Sequence, residues 1–320
     1  MIGVLAEAQL FALAALAFAI AVATLAGVGV RAFQGHLGRI EPLRRSRALE
    51  AVVAAPIVLG AAGVVACALP SLAAAAMHAG DHCGYHDGHP HLCPLHLPEH
   101  GSTFGWVLLA SALAWALARV VAQLEAFASG NALVSDLRRK SRSEGDVTVI
   151  ESDAVFAVTA GLLSPRVLVS RGLAERLGPA EHRAVLAHER AHARRRDALR
   201  LAVARVLWSS FPAWLAEPLF AELALAYEEI CDRDAAAAVG DPLIVADAIV
   251  QASRGAPSGL SPAVGIGERA ASVRVLRLLD PPTGRSVLGV RALLLTALAV
   301  LALAEPLHHA TETLLGLLPH

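Results

Sequence analysis

The sequence predicts a mainly α, polytopic integral membrane protein: four transmembrane helices, with an α+β globular segment inserted between the third and the fourth. Three observations predict it. Apolar residues make up 56% of the 320 and charged residues only 17%, against roughly 45–50% and 25% in ordinary soluble domains. The apolar residues gather in four runs, the first of which, at about 1.5 Å per residue, is long enough to cross the ~30 Å hydrocarbon layer. Lys and Arg are confined to two of the intervening segments and the span ends beside them. A net charge of −1 excludes a basic nucleic-acid binder, so no direct nucleic-acid contact is expected. The composition equally excludes a disordered chain, a collagen-like chain and a disulfide scaffold.

The first run covers residues 4–30, with one early acid, Glu7, and no Lys or Arg before Arg31. It lacks the basic start of a cleaved signal peptide and is expected to remain as a span. The second covers 51–77, with Pro56 and Pro70 as tolerated kinks. The third covers about 104–126 and the fourth about 287–304. Segments 1–30, 78–102 and 305–320 contain neither Lys nor Arg. The positive-inside rule therefore puts loop 31–50 and segment 127–286 in the cytoplasm, and both termini and loop 78–102 outside. Three divisions follow: 1–128 with three spans and the outer loop, 129–286 as the cytoplasmic domain, and 287–320 with the last span and a short outer tail.

Segment 129–286 changes from membrane to globular patterning. "VTVIE" at 147–151, Val155 to Val158 and Arg166 to Val169 are short β-rich runs, broken at Gly161 and Pro165. From Pro179 the pattern turns helical, with Pro in the first turn and an acid, Glu181, soon after. In that helix His188, Glu189 and His192 spell HExxH. Residues four apart share a helix face, so both imidazoles can reach one metal ion. Glu189, beside the first ligand, can act as general base on a water activated by that metal. A basic surface helix is the plainer reading, since Arg190 and Arg194 to Arg196 surround the motif.

A catalytic zinc site needs a third protein ligand. The later stretch "ALAYEEICDRDA" offers Glu228 and Glu229. Glu228 and Asp232 are four apart, so Glu228 is expected as the ligand and Asp232 as the group supporting a ligating histidine. Glu229 and Arg233 suit a solvated pair on the neighbouring face. Tyr227 and His182 are candidates by type alone for stabilising a developing oxyanion. The run 154–161 is either a sheet edge that an extended substrate could join or an ordinary internal strand. The apolar stretch 199–227 has only about eleven uncharged residues between Arg205 and Glu217, about 16 Å of helix and too short to cross. It is expected as an interfacial hairpin bending at Pro212 and Pro218.

With "VTVIESDAVFAVTAGLLSPRVLVSRGLAERLGPAEHRAVLAHERAHARRRDALR" followed by "EEICDRDA", the chain resembles the BlaR/MecR-type antirepressor membrane zinc peptidases over about residues 130–255. HExxH, the following "RRRD" and the later ExxCD stand in the same order within the same topology. More distantly it is similar to the HtpX-type membrane peptidases. The resemblance implies a gluzincin-like zinc endopeptidase in a bacterial inner membrane. Its one catalytic Zn2+ would be held by His188, His192 and Glu228, with Glu189 as base. A protein substrate follows, with a cytosolic DNA-binding repressor as the signalling version and damaged membrane proteins as the quality-control version; a homodimer is an allowed assembly. Where the antibiotic sensors carry a penicillin-binding domain, "EPLHHATETLLGLLPH" follows the fourth span, so the signal is expected to differ unless a partner reads a β-lactam. The family's aromatic-Asn-Pro sequence is replaced by "WSSFPAW".

Loop 78–102 holds seven of the fourteen histidines. His82, Cys83, His86, His89, His91 and Cys93 could bind a metal ion there, or the two cysteines could pair in an oxidising compartment. A polar, solvated loop explains the same composition. If the loop is the active part, the chain is instead a non-enzymatic metal sensor whose cytoplasmic zinc is structural.

Overall fold

A computed structural model describes residues 2–77, 92, 101–139, 141–144, 146–255, 268–284 and 304–316. The expected fourth span lies outside the described residues except at 304, and of the His-rich loop only residues 92, 101 and 102 fall within them. The candidate ligands His82, Cys83, His86, His89, His91 and Cys93 are therefore all outside. The chain divides into two compact units. One comprises residues 1–29, 51–119 and 287–320, and the other 30–50 and 120–286.

The first unit draws on four helices: α1 (Ile2–Ala32), α3 (Pro42–Ala76), α4 (Thr103–Arg139) and α11 (Ala304–Gly316). Three segments of these are long and apolar enough to cross a membrane: Gly3–Ala32, Pro42–Ala73 and Thr103–Asp136. All three outrun the expected runs: Gly3–Ala32 slightly exceeds 4–30 at both ends, α3 begins nine residues before 51, and α4 continues past 126. Helix α3 runs unbroken through Pro56 and Pro70. Ser102 caps α4 by accepting from the Gly105 amide at 3.2 Å. Gln9 exchanges two hydrogen bonds with the Ser102 backbone, at 2.6 and 2.8 Å, which satisfies an amide buried in an apolar unit. The expected outer tail contains α11, whose Leu307 and Leu315 pack against Leu10, Leu13 and Cys67. Its Glu312 accepts from the Leu92 amide at 3.0 Å.

The second unit holds a four-stranded sheet of β1 (Arg142–Glu144), β2 (Val147–Ile150), β3 (Ala157–Ala160) and β4 (Arg166–Ser170), in the order β1-β2-β4-β3. β2 and β4 are parallel, and β3 returns antiparallel on β4 with Val158 opposite Leu168. Among the described residues β3 is therefore an edge strand. The unit also holds α2 (Gln34–Leu37), α5 (Arg171–Arg176), α6 (Pro179–Arg195), α7 (Asp197–Leu207), α8 (Ala213–Val239), α9 (Pro242–Gly255) and α10 (Glu268–Leu279), of which α5 and α6 pack on the sheet.

Alternation along β2 and β4 sends Val147, Val167 and Val169 into a cluster with Leu173 and Leu177, onto which Val185 and Leu186 of α6 pack. The opposite side of α6 meets helices: Ala184 joins Ala235 of α8, Val245 and Ile249 of α9 and Leu278 of α10. Ala184 and Ala191, both fully buried, keep that face of α6 small, which lets α8 come close enough for side chains to share one ion.

The stretch after α6 forms a hairpin of helices. Pro212 is the N-cap of α8, as a bend expected there requires, but α8 continues through Pro218 in its second turn, forgoing one backbone hydrogen bond rather than bending into a new segment.

Candidate metal centre

His188 and His192 lie one turn apart on α6, and their Nε2 atoms are 3.1 Å apart. Glu228 reaches the same point from α8, with Oε2 at 3.4 Å from His188 Nε2 and Oε1 at 3.4 Å from His192 Nε2. These three residues form one of two described groups able to hold a metal ion.

Each imidazole is oriented from behind. His188 Nδ1 lies 2.9 Å from Asp232 Oδ1, and His192 Nδ1 lies 3.0 Å from Asp197 Oδ2. A neutral histidine donating from Nδ1 to a carboxylate has a lone pair on Nε2. Two such lone pairs then face each other beside a carboxylate, an arrangement that repels unless a cation or proton sits between them. Tetrahedral zinc with bonds of about 2.0–2.1 Å separates its ligand atoms by about 3.3 Å. The observed spacings of 3.1, 3.4 and 3.4 Å fit that ion.

Electrostatics follow from the same contacts. Burial works against charge on His188, but Asp232 and Glu228 outweigh it and raise its pKa above 6.5. His192 is raised further, because Glu228 and Asp197 overcome its burial. Burial would lift the pKa of Glu228, yet the Arg274 guanidinium and His192 hold it well below the ordinary carboxylate value. The same arginine keeps Asp232 ionised against its burial. The carboxylates that favour a proton on each imidazole favour a bound cation at the same place.

Glu189, the residue after His188 on α6, is buried, with Oε2 at 2.8 Å from the Thr159 hydroxyl of β3. That hydroxyl is also 2.7 Å from the Glu189 carbonyl oxygen, so its one proton is shared between two acceptors. The contact fastens the sheet's edge strand to the residue in the general-base position.

Three contributors were not expected from the sequence. Asp197 follows Arg196, which adopts a left-handed backbone at φ 54° and ψ 43°. That break turns the chain so that a residue five after His192 faces its ring, which an unbroken helix would forbid; the "RRRD" run was its only trace in the sequence. Arg274 of α10 grips Asp232 with Nε at 2.8 Å and Nη2 at 2.6 Å, and meets Glu228 Oε2 at 2.9 Å. It comes from 42 residues beyond Asp232, with no local pattern to announce it. Thr159 is the third.

Other expectations resolve differently. Glu229 is not a solvated partner of Arg233: it is buried and paired with Arg45 of α3 at 2.9 Å and with Arg277. Tyr227 donates its hydroxyl to Glu50 at 2.8 Å and is buried, so its hydroxyl faces α3. The second described donor group joins His192, Asp197 and Cys231. Its thiol is pushed up to about 11 by burial and sits 3.6 Å from Asp197 Oδ2, so it serves as a donor to that carboxylate.

A helix pair presenting two imidazoles and a carboxylate, with a buried glutamate beside them and a sheet edge at hand, defines the class: a metallopeptidase. Residues 118–260 match the family model of Peptidase family M48, whose members are typically zinc-dependent and often membrane-bound. The match supports the M48 metallopeptidases in the broad sense and takes in every expected site residue from His188 to Asp232, while Arg274 lies beyond it. No curated protein and no solved structure matches the chain.

Proposed function

We propose that the protein is a membrane zinc metalloendopeptidase that hydrolyses peptide bonds of a cytosolic protein, with a transcriptional repressor as its substrate in a signalling pathway. The observation that carries the peptidase reading is the convergence of His188, His192 and Glu228, with Glu189 held next to them. The repressor rests on the resemblance to the antirepressor peptidases. In this reading residues 129–286 form the catalytic domain on the cytoplasmic face of a bacterial inner membrane, and both termini lie outside.

Zinc, when bound, supplies Lewis-acid activation of water and of the scissile carbonyl. His188, His192 and Glu228 hold it, and Asp232 and Asp197 fix the imidazole tautomers. Glu189 takes the proton from the attacking water and passes it to the leaving amine. The Thr159 hydroxyl keeps the Glu189 carboxylate oriented toward that work. β3 offers backbone groups on its outer edge, on which an extended substrate adds as a strand beside Glu189.

The test is a mass-spectrometric survey of new protein termini in cells expressing wild type or Glu189→Gln. Termini found only with wild type, dominated by one DNA-binding protein, support the proposal. A spread over many membrane proteins points to quality control in the HtpX manner. Identical profiles from two stably expressed proteins, with the outer loop metal-free and metal-loaded, would refute proteolysis and favour the non-enzymatic sensor.

A further inference from the structure

The ligand Glu228 sits between two residues that are both held by the start of α3. On one side Tyr227 donates to Glu50 Oε1 at 2.8 Å, and Glu50 also meets Arg200 of α7 at 3.1 Å. The guanidinium groups of Arg195 and Arg200 lie 5.7 and 5.9 Å from the Tyr227 ring centre. On the other side Glu229 Oε1 lies 2.9 Å from Arg45 Nη2 and is also bonded by Arg277. Arg45 is 0% exposed and Glu229 3%. Burying an isolated guanidinium is costly, so this pair holds only while the two helices stay in register.

Successive residues of a helix project about 100° apart, so Tyr227 and Glu229 point about 100° to either side of Glu228. Any rotation of α8 that swings Glu228 away from the imidazoles must strain one anchor, whichever way it turns. The chain leading into α3 is itself fixed. Gly284, just after α10, exchanges backbone hydrogen bonds with Arg39 and Glu41 at 3.1 and 3.2 Å. A side chain at Gly284 would collide with the Arg39 carbonyl oxygen, so the two segments approach as closely as backbones can. Glu50 has a second reach, because its partner Arg200 is in the first turn of α7, one turn after Asp197, which orients His192.

We propose that Glu50 and Arg45 of α3 are positioning residues of the metal centre, fixing the rotation of α8, and with it the carboxylate of Glu228, through Tyr227 and Glu229. The proposal rests on the zinc-peptidase reading of the site and adds to it a control on ligand geometry. Neither residue touches the donor atoms. Their effect is read in the metal's affinity and coordination, which a purely structural ion-pair cluster would leave unchanged.

The test uses the full chain purified in detergent micelles. Cobalt(II) is titrated and followed by its visible absorption, zinc affinity is measured against a chromophoric chelator, and the thermal midpoint is recorded. Tyr227→Phe removes the hydrogen bond of the first anchor and Glu50→Gln the charge that ties it to Arg200, Glu229→Gln weakens the second anchor, and Arg171→Gln, on an exposed ion pair with Asp153, serves as control. Outer partners of a metal ligand set affinity by tenfold to a hundredfold. Folded Glu50→Gln and Tyr227→Phe are expected to bind cobalt about tenfold more weakly, with an altered absorption band, and the double variant no more weakly than Glu50→Gln alone. The control is expected to match wild type. Wild-type affinity and spectrum in both first-anchor variants, even with a lowered midpoint, overturn the positioning role and leave the peptidase reading standing. A wild-type chain that takes up neither cobalt nor zinc overturns the peptidase reading and this proposal together. Should Glu229→Gln fail to fold, Glu50, whose side chain is 32% exposed, still decides the matter.

Discussion

In the zinc-peptidase reading, removing the charge behind each of the two motif histidines should weaken metal binding unequally, and the structure gives the order. Asp232 accepts from His188 Nδ1 at 2.9 Å and from two nitrogens of Arg274 at 2.8 and 2.6 Å. Asp197 accepts from His192 at 3.0 Å, and its other partners are Arg195 at 3.3 Å and the Cys231 thiol at 3.6 Å. Loss of an outer partner lowers metal affinity about tenfold to a hundredfold, or about 1.4–2.7 kcal/mol. Asp197→Asn removes charge from one imidazole only and belongs near the lower figure. Asp232→Asn also leaves Arg274 in contact with Glu228, 2.9 Å away. The arginine then competes with the metal for a ligand oxygen, which places this variant near the upper figure. Zinc titration against a chromophoric chelator, on metal-stripped protein at fixed pH, reads both. Equal losses, or a larger loss in Asp197→Asn, would show that Arg274 does not act on Glu228 and would refute the reasoning.

Glu189→Gln should keep zinc at wild-type stoichiometry while peptide hydrolysis falls by about 10²–10⁴-fold, measured with an unfolded protein substrate; retained activity would remove Glu189 from the base role. For pH, the raised histidine values mean that their contribution to metal-free stability is complete below 6.5 and is lost as pH rises through the higher folded values. Glu228 and Asp232 act oppositely, contributing above 4.5 and 3.8 and losing that as pH falls through their lowered folded values. The thermal midpoint of stripped protein should therefore peak at about pH 5–6.5 and fall above it, while the increase caused by added zinc grows over the same interval; a flat profile contradicts the charge arrangement. Leu173→Ala empties a fully buried position beneath the sheet and should cost about 2–5 kcal/mol in chemical denaturation, with zinc stoichiometry unchanged.

Periodicity made part of the site legible. His188 and His192 share a face of α6 because they are four apart, and Glu228 and Asp232 do so on α8 for the same reason. What periodicity does not encode is a contact between elements or a break inside one. Arg195 and Arg196 are ordinary helix formers, so beyond the "RRRD" run itself nothing local announces the left-handed turn that brings Asp197 to His192. Glu229 looked like one half of a surface pair with Arg233 because the i, i+4 rule sees only its own helix. Its partner Arg45 stands in a loop expected merely to join two spans, and only tertiary packing brings them together. Helix ends escape the hydropathy pattern for a related reason. Helices α3 and α4 continue beyond their apolar runs, since backbone hydrogen bonding does not stop where hydropathy does.

The four side chains at the centre are held by four different elements. Asp232 on α8 holds His188, Asp197 on α7 holds His192, Arg274 on α10 holds Glu228, and Thr159 on β3 holds Glu189. Metal bound at the centre is therefore linked to the docking of each of these elements on α6 and α8. An ion that binds only the assembled site stabilises it by about 2.7 kcal/mol when present at a hundred times its dissociation constant. That gain is shared by every element that supplies a partner, so losing one partner loosens the others. Hydrogen exchange should accordingly slow on addition of zinc in β3, α7 and α10 together, far beyond the ligands themselves. Protection confined to α6 and α8 would mean that the partners merely adjoin the site without being coupled to it.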